Sequence, residues 1–204
     1  MNRYDGELAN LPATYAAALV ADIGRLKAAI AGACESSIIG VGTGGSFTAA
    51  SLLCRLHETY TGRVSRPATS LEIICSPNLA AASPVFLISA EGKNPDIVEA
   101  LQRARRHSAR PIHALTNHAS SPLIDQIKQL TGINTHLFEL AEKDGYLATN
   151  SLLLNAVVIA RAYGELDQET SLPTSMHEPR IGEQTVSEWL TSMEPFIDQV
   201  VTRS

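Results

Sequence analysis

Residues 38–50 read IIGVGTGGSFTAA, which sets Gly42, Gly44 and Gly45 beside the hydroxyls of Thr43 and Ser46. Glycines between a strand end and a helix start leave backbone amides free to converge on an anion or a sugar, with no Cβ in the way. A tight turn that needs positive φ explains the same glycines without any ligand. Both readings stand from this loop alone. Two familiar phosphate-binding patterns are excluded. Phe47 occupies the place where the dinucleotide fingerprint needs its third glycine, and no Gly-Lys-Ser/Thr closes the turn as in NTPase loops.

The bulk properties narrow the classes further. A chain of 204 residues that is 45% hydrophobic and 18% charged is globular and long enough for a layered core. Its net charge of -5 argues against a nucleic-acid partner. The one dense basic run, RARRH at 103–107, spreads around a helix as a solvated face. The run LLLNAVVIA is interrupted by Asn155 and too short to span a bilayer, so no membrane partner is expected. MNRYDGELAN has neither a basic nor an apolar signal region. Cys34, Cys54 and Cys75 are odd in number, far apart and never CxxC, which fits reduced thiols in the cytoplasm. No histidine pair has metal-ligand spacing, and no motif implies a cofactor.

The elements that must position the glycine loop follow from periodicity. Leu11, Tyr15, Leu19, Ile23, Leu26 and Ile30 predict one amphipathic helix ahead of it. SIIGV reads as a buried strand and 47–59 as a helix. SLEIIC and PVFLIS read as the second and third strands, apolar throughout as strands covered on both faces must be. NPDIVEALQRARRHS is a helix that Asn94 can cap, with Pro95 in its first turn. PIHALT is a fourth strand, SPLIDQIKQL a helix, NTHLFEL a fifth strand, and TNSLLLNAVVIARAYG a long helix ended by Gly164. Such alternation implies a doubly wound parallel sheet, whose ligands sit beyond the carboxyl ends of the strands. The organisation expected is a helical segment at 1–35, an α/β domain at 36–164, and a polar linker with a C-terminal helix at 165–204. Pro195 is expected to kink that last helix.

GVGTGGSFTAA resembles the first motif of the sugar isomerase (SIS) domain family. VFLISAEGKNPDIVEAL, ALTNHASSPL and EKDGYLATNSLLLNAVVIARA are similar to three later stretches of that family, in the expected order. The resemblance covers about 36–164 and implies a flavodoxin-like three-layer αβα sandwich with a five-stranded parallel sheet. It also implies binding of phosphosugars across the loop tips and assembly as dimers or tetramers. On this resemblance Ser46 matches the serine of the first motif and Ser89 the first serine of the second. Glu91 stands where the family commonly has a phosphate-binding serine, and Asn94 where it ends on Ser or Thr. A carboxylate beside a phosphate is repulsive by several kcal/mol at an effective dielectric of ~20, so Glu91 implies an altered phosphate site unless Lys93 offsets it.

The implied ligand set is therefore Gly42, Thr43, Gly44, Gly45, Ser46, Ser89, Glu91, Lys93 and Asn94. Phosphoheptose isomerases of the family carry a glutamate just before Thr-Gly-Arg. Glu58 precedes Thr61-Gly62-Arg63 here with one extra residue, and is the candidate general base. His57 reads as a partly buried helix residue, and His177 lies in the polar linker. Thr149 and Asn150 open the closing helix and are expected to cap it. The late glutamate and histidine that such isomerases supply are missing. The length leaves no room for a second SIS half, so one half of a larger architecture and a single-domain binder are both open. The expectation is an SIS-like domain that binds a sugar or phosphosugar derivative, homo-oligomeric because its terminal helices are so apolar. The alternatives are an aldose–ketose isomerase completed across a subunit interface, and a regulatory or scaffolding module with a vestigial cleft.

Overall fold

The computed structural model describes residues 3–145 and 148–166, together with 180, 181, 183–185, 188 and 192. The chain divides into two compact units, Met1–Thr174 and Ser175–Ser204. In the first, β1 (Ile39–Gly42), β2 (Arg66–Thr69), β3 (Val85–Ile88), β4 (Ile112–Thr116) and β5 (Ile133–Leu137) pair in parallel, in the order β2-β1-β3-β4-β5. Every residue of β1, β3 and β4 is buried, because these central strands carry helices on both faces.

One face packs Ile38, Phe86, Ile88, Leu115 and Phe138 against α2 (Leu11–Val20), α3 (Gly24–Ala33), α4 (Gly45–Thr61) and α8 (Asn150–Gly164). The other packs Val41, Val85, Leu87, Ile112 and Ala114 against α5 (Ser70–Cys75), α6 (Pro95–His107) and α7 (Pro122–Lys128). The result is the three-layer αβα sandwich with a five-stranded parallel sheet, preceded by α1 (Arg3–Ala9). No helix among the described residues is long and apolar enough to cross a membrane.

Three local expectations need correction. SLEIIC is α5, not a strand, and the second strand is RPAT just before it. The reason is a capping box. Thr69 Oγ1 accepts from the Glu72 amide at 3.2 Å while Glu72 Oε2 accepts from the Thr69 amide at 2.7 Å. Pro67 is tolerated in β2 because that strand lies at the edge of the sheet. The single N-terminal helix is instead α2 and α3, broken where Asp22 Oδ1 takes the Gly24 amide at 2.9 Å. In the stretch read as polar linker, β6 (Arg180–Ile181) and β7 (Gln184–Thr185) pair antiparallel within the second unit. The expected C-terminal helix and His177 lie outside the described residues.

Two buried histidines join β4 to β5 beneath the α8 face. His113 Nδ1 and His136 Nε2 are 3.2 Å apart, and His113 stacks on Phe86 with centroids separated by 4.5 Å. Burial pushes both imidazoles down to about 4, helped for His136 by the charges of His113 and Arg25. An unfolded chain protonates these groups near pH 6.5, whereas the folded chain resists until about pH 4. Their contribution is therefore complete above about pH 6.5 and is lost as pH falls towards 4, by roughly 1.4 kcal/mol for each unit of depression. The thermal midpoint should drop over this window, and the slope should flatten in a His113→Phe/His136→Leu double variant. An unchanged slope, followed by circular dichroism, would exclude the pair as its source.

Candidate functional site

The strand order reverses between β1 and β3, and the loops at their carboxyl ends meet there. Gly42 ends β1 so close to the first turn of α4 that a Cβ would run into the Ser46 carbonyl. Gly44 adopts φ +59°, and a Cβ on Gly45 would lie 2.9 Å from Ala148 Cβ. The loop is thus pinned by α4 beneath it and by the start of α8 beside it. Thr43 and Gly44 remain exposed.

The second motif folds against the first. Ser46 Oγ accepts from the Ala90 amide at 3.4 Å, which brings the loops of Ser46 and Ser89 together at the same end of the sheet. Ser89 Oγ accepts from the Gly92 amide at 3.2 Å, and Thr43 Oγ1 lies 3.2 Å from Ser70 Oγ. Gly92 has φ +63°, and any Cβ there would strike Ser121 Oγ at the start of α7. Asn94 accepts from the Asp96 amide at 2.8 Å and so caps α6. These side chains brace one another, and the loop between Ser89 and Asn94 is held from both flanks.

Beside this pair of loops lies a cleft of about 190 Å³, whose walls include Ala90, Glu91, His118, Lys143, Asp144 and Ser151. It is smaller than the ~300 Å³ at which sites for drug-sized ligands begin. Glu91 bridges two ammonium groups, Lys143 at 3.1 Å and Lys93 at 3.3 Å. Partial burial would raise the Glu91 pKa, but hydrogen bonds and charge from Lys143 and Lys93 hold it below the usual carboxylate range.

Asp144 closes the start of α8. Its Oδ1 accepts from the Asn150 amide at 3.0 Å and from Thr149 Oγ1 at 3.4 Å. Its Oδ2 accepts from the Ser151 amide at 2.8 Å and from Ser151 Oγ at 2.6 Å. The cap expected from Thr149 and Asn150 is therefore supplied by Asp144. Asn150 instead donates to the Glu7 carbonyl at 2.9 Å and accepts from Thr14 at 2.7 Å, tying α1 and α2 to α8. Asn117 and Asn155 exchange side-chain amide bonds of 3.0 and 3.2 Å, anchoring the β4 loop to the same helix.

Glu58 falls elsewhere. It sits thirteen residues beyond the first residue of α4, about 20 Å along the helix from the glycine loop at 1.5 Å per residue. There Oε1 accepts from the Ser65 amide at 3.0 Å and Oε2 pairs with Arg55 at 3.3 Å, which fixes the entry into β2. Hydrogen bonding to Ser65 outweighs desolvation and holds its pKa low. Glu58 therefore stands apart from the glycine loop and holds the entry into β2. His57 is fully buried between Tyr163 Oη at 2.9 Å and the Ser36 carbonyl at 2.8 Å.

No family model matches this sequence, and no curated protein matches it. Solved structures do match its fold. The tagatose-6-phosphate ketose/aldose isomerase of Escherichia coli superposes with TM-score 0.63 at 17% identity, over 79% of this chain and 47% of that one. A protein of E. coli CFT073, solved as a ligand complex, gives 0.63 at 19% identity, over 83% and 95%. The Vibrio vulnificus NanR protein complexed with ManNAc-6P gives 0.58 at 15%, over 98% and 72%. The chain spans about half the length of several solved chains it matches, 47% to 51%. It has the SIS fold that its motifs implied.

Asp144→Ala should remove the acceptors at the start of α8 and lower stability by about 1–2 kcal/mol. Asp144→Asn, which keeps one acceptor, should lose less. Chemical denaturation would measure both, and equal losses would mean that the capping bonds are not what holds this end of the helix.

Proposed function

We propose that this chain binds a small sugar derivative in the cleft beyond the carboxyl ends of β3, β4 and β5. The glycine loop at 42–46 supplies none of the lining residues and lies behind the cleft, with Gly45 against Ala148 of its wall. The observation that carries this reading is convergence. Loops following β3, β4 and β5 meet around one concavity of monosaccharide size, lined by two carboxylates, an ammonium, an imidazole and a hydroxyl. The matched tagatose-6-phosphate isomerase and the NanR protein solved with ManNAc-6P share the fold and support a carbohydrate over a nucleotide. Ser46, Ser89 and Asn94 serve here as the frame of the site, and Glu91, Lys93 and Lys143 as its charged face. Binding is the proposed activity. Glu58 lies too far from the cleft to act on a ligand there, so the isomerase reading would need groups from a second subunit.

The ligand is expected to reveal itself by stabilisation. At a hundredfold excess over Kd a bound ligand adds about 2.7 kcal/mol, which in a chain of this size raises Tm by roughly 5–10 °C. A panel of hexoses, pentoses, hexosamines and their phosphates should contain such a ligand, and Lys143→Ala should weaken it about tenfold. Absence of any shift across the panel would remove the proposal.

Self-association and a cytoplasmic setting belong to the same reading. Helix α2 is apolar almost all round, yet Val20 is 83% exposed and Ala13, Ala16 and Ala17 are also uncovered. Such a helix is expected to pack against a second copy. Light scattering should give a dimer or larger, and Val20→Lys should shift the mass towards the monomer. A monomeric mass for the unaltered chain at high concentration would refute this part.

A further inference from the structure

The charges in the cleft bear on whether a phosphorylated or an unphosphorylated ligand fits it. Glu91 lies in the turn after β3, and its carboxylate is bridged from two loops, by Lys93 beside it and by Lys143 after β5. Both cations that a phosphate would recruit are thus already paired with an anion of the chain. Two amides of the same turn are taken as well. Ala90 N–H is given to Ser46 Oγ and Gly92 N–H to Ser89 Oγ. The neighbouring carboxylate, Asp144, has both oxygens committed to the start of α8, so it remains as a fixed negative charge in the wall. An incoming phosphate would have to share both lysines with Glu91 and lie beside two carboxylates.

A polyol meets the same groups differently. One hydroxyl can donate to the Glu91 carboxylate while its neighbour accepts from the Lys143 ammonium, and the ion pair need not separate. Ser151 Oγ donates to Asp144 and keeps lone pairs that accept a further hydroxyl. The cleft volume of about 190 Å³ suits one sugar ring. Resting on the sugar-binding reading above, we infer that the cleft takes an uncharged, unphosphorylated monosaccharide, and that Glu91, clasped by Lys93 and Lys143, is the residue that excludes the phosphate.

The test compares the unaltered chain with Glu91→Ser and Glu91→Gln. The probes are inorganic phosphate, glucose, fructose and arabinose, and the 6- or 5-phosphates of these sugars, followed by thermal shift and calorimetry. Midpoints without ligand establish that each variant folds, and the near-isosteric Gln variant guards against collapse of the loop in the Ser variant. At least one free sugar should bind the unaltered chain more tightly than its phosphate does. Both variants should gain affinity for the phosphates by about tenfold or more, and should weaken for the free sugar. If a sugar phosphate binds the unaltered chain more tightly than its parent, and Lys143→Ala abolishes it, the sugar site stands and the exclusion by Glu91 is overturned. No gain in phosphate affinity in either variant also overturns it. If no probe binds any of the proteins, the sugar-binding reading and this inference fall together.

Discussion

The architecture depends on how closely α4 lies against β1. At Gly40 a Cβ would sit 2.8 Å from the Ala50 carbonyl and 2.9 Å from Cys54 Sγ, and at Gly42 it would enter the turn at Ser46. Backbone therefore packs on backbone, at a distance no side chain permits. That contact fixes where α4 starts, and with it the position of Ser46 relative to the next strand. The bond from Ala90 N–H to Ser46 Oγ then sets the path of the chain after β3. A Cβ at either glycine would move the helix and every loop that leans on it.

From that anchor the cleft is built in steps. Ser89 shapes the turn to Gly92, and Gly92 accepts the close approach of Ser121 through its positive φ. The Leu123 amide donates to the Gly92 carbonyl at 3.0 Å, so α7 holds the turn from the far side. Asn117 and Asn155 couple the β4 loop to α8, and Asp144 couples the β5 loop to the same helix. A rigid frame of buried amides and short hydroxyl bonds surrounds a few side chains that remain partly exposed. Preorganised groups of this kind lose little freedom when a small polar ligand arrives.

The sequence made the central strands legible because they are buried on both faces and read as unbroken apolar runs. It misled at the edge. RPAT carries a proline and an arginine and does not look like a strand, whereas SLEIIC has the composition of one. The Thr69-x-x-Glu72 spacing was the available signal that a helix began there. Asp22 and Gly24 likewise marked a break that hydrophobic spacing alone ran through. The adjacency of the Ser46 and Ser89 loops was legible because their motifs end strands that the fold makes neighbours. Lys143, Asp144 and His118 were not, since each lies in a loop where no periodicity applies and only tertiary structure decides what it faces. Glu58 shows the converse limit, since it lies thirteen residues along α4 from Gly45. A motif on a long helix says nothing about which end of the sheet its last turn reaches.

The placement of carboxylates unifies these details. A doubly wound fold offers anions several seats where amides converge at helix starts and strand-end turns. Here the chain fills two such places itself and sets a third carboxylate between lysines. Glu72 takes the amide at the entrance to α5, Asp144 takes the start of α8, and Glu91 occupies the turn before α6 with two lysines around it. Each internal carboxylate satisfies donors that would otherwise attract a ligand anion, and each leaves the surrounding field more negative for the next anion to approach. A fold shared with a protein solved around a sugar phosphate can thus present a cleft on a similar frame with its electrostatic preference changed. The change requires no new element, only acidic side chains placed at helix starts and between lysines.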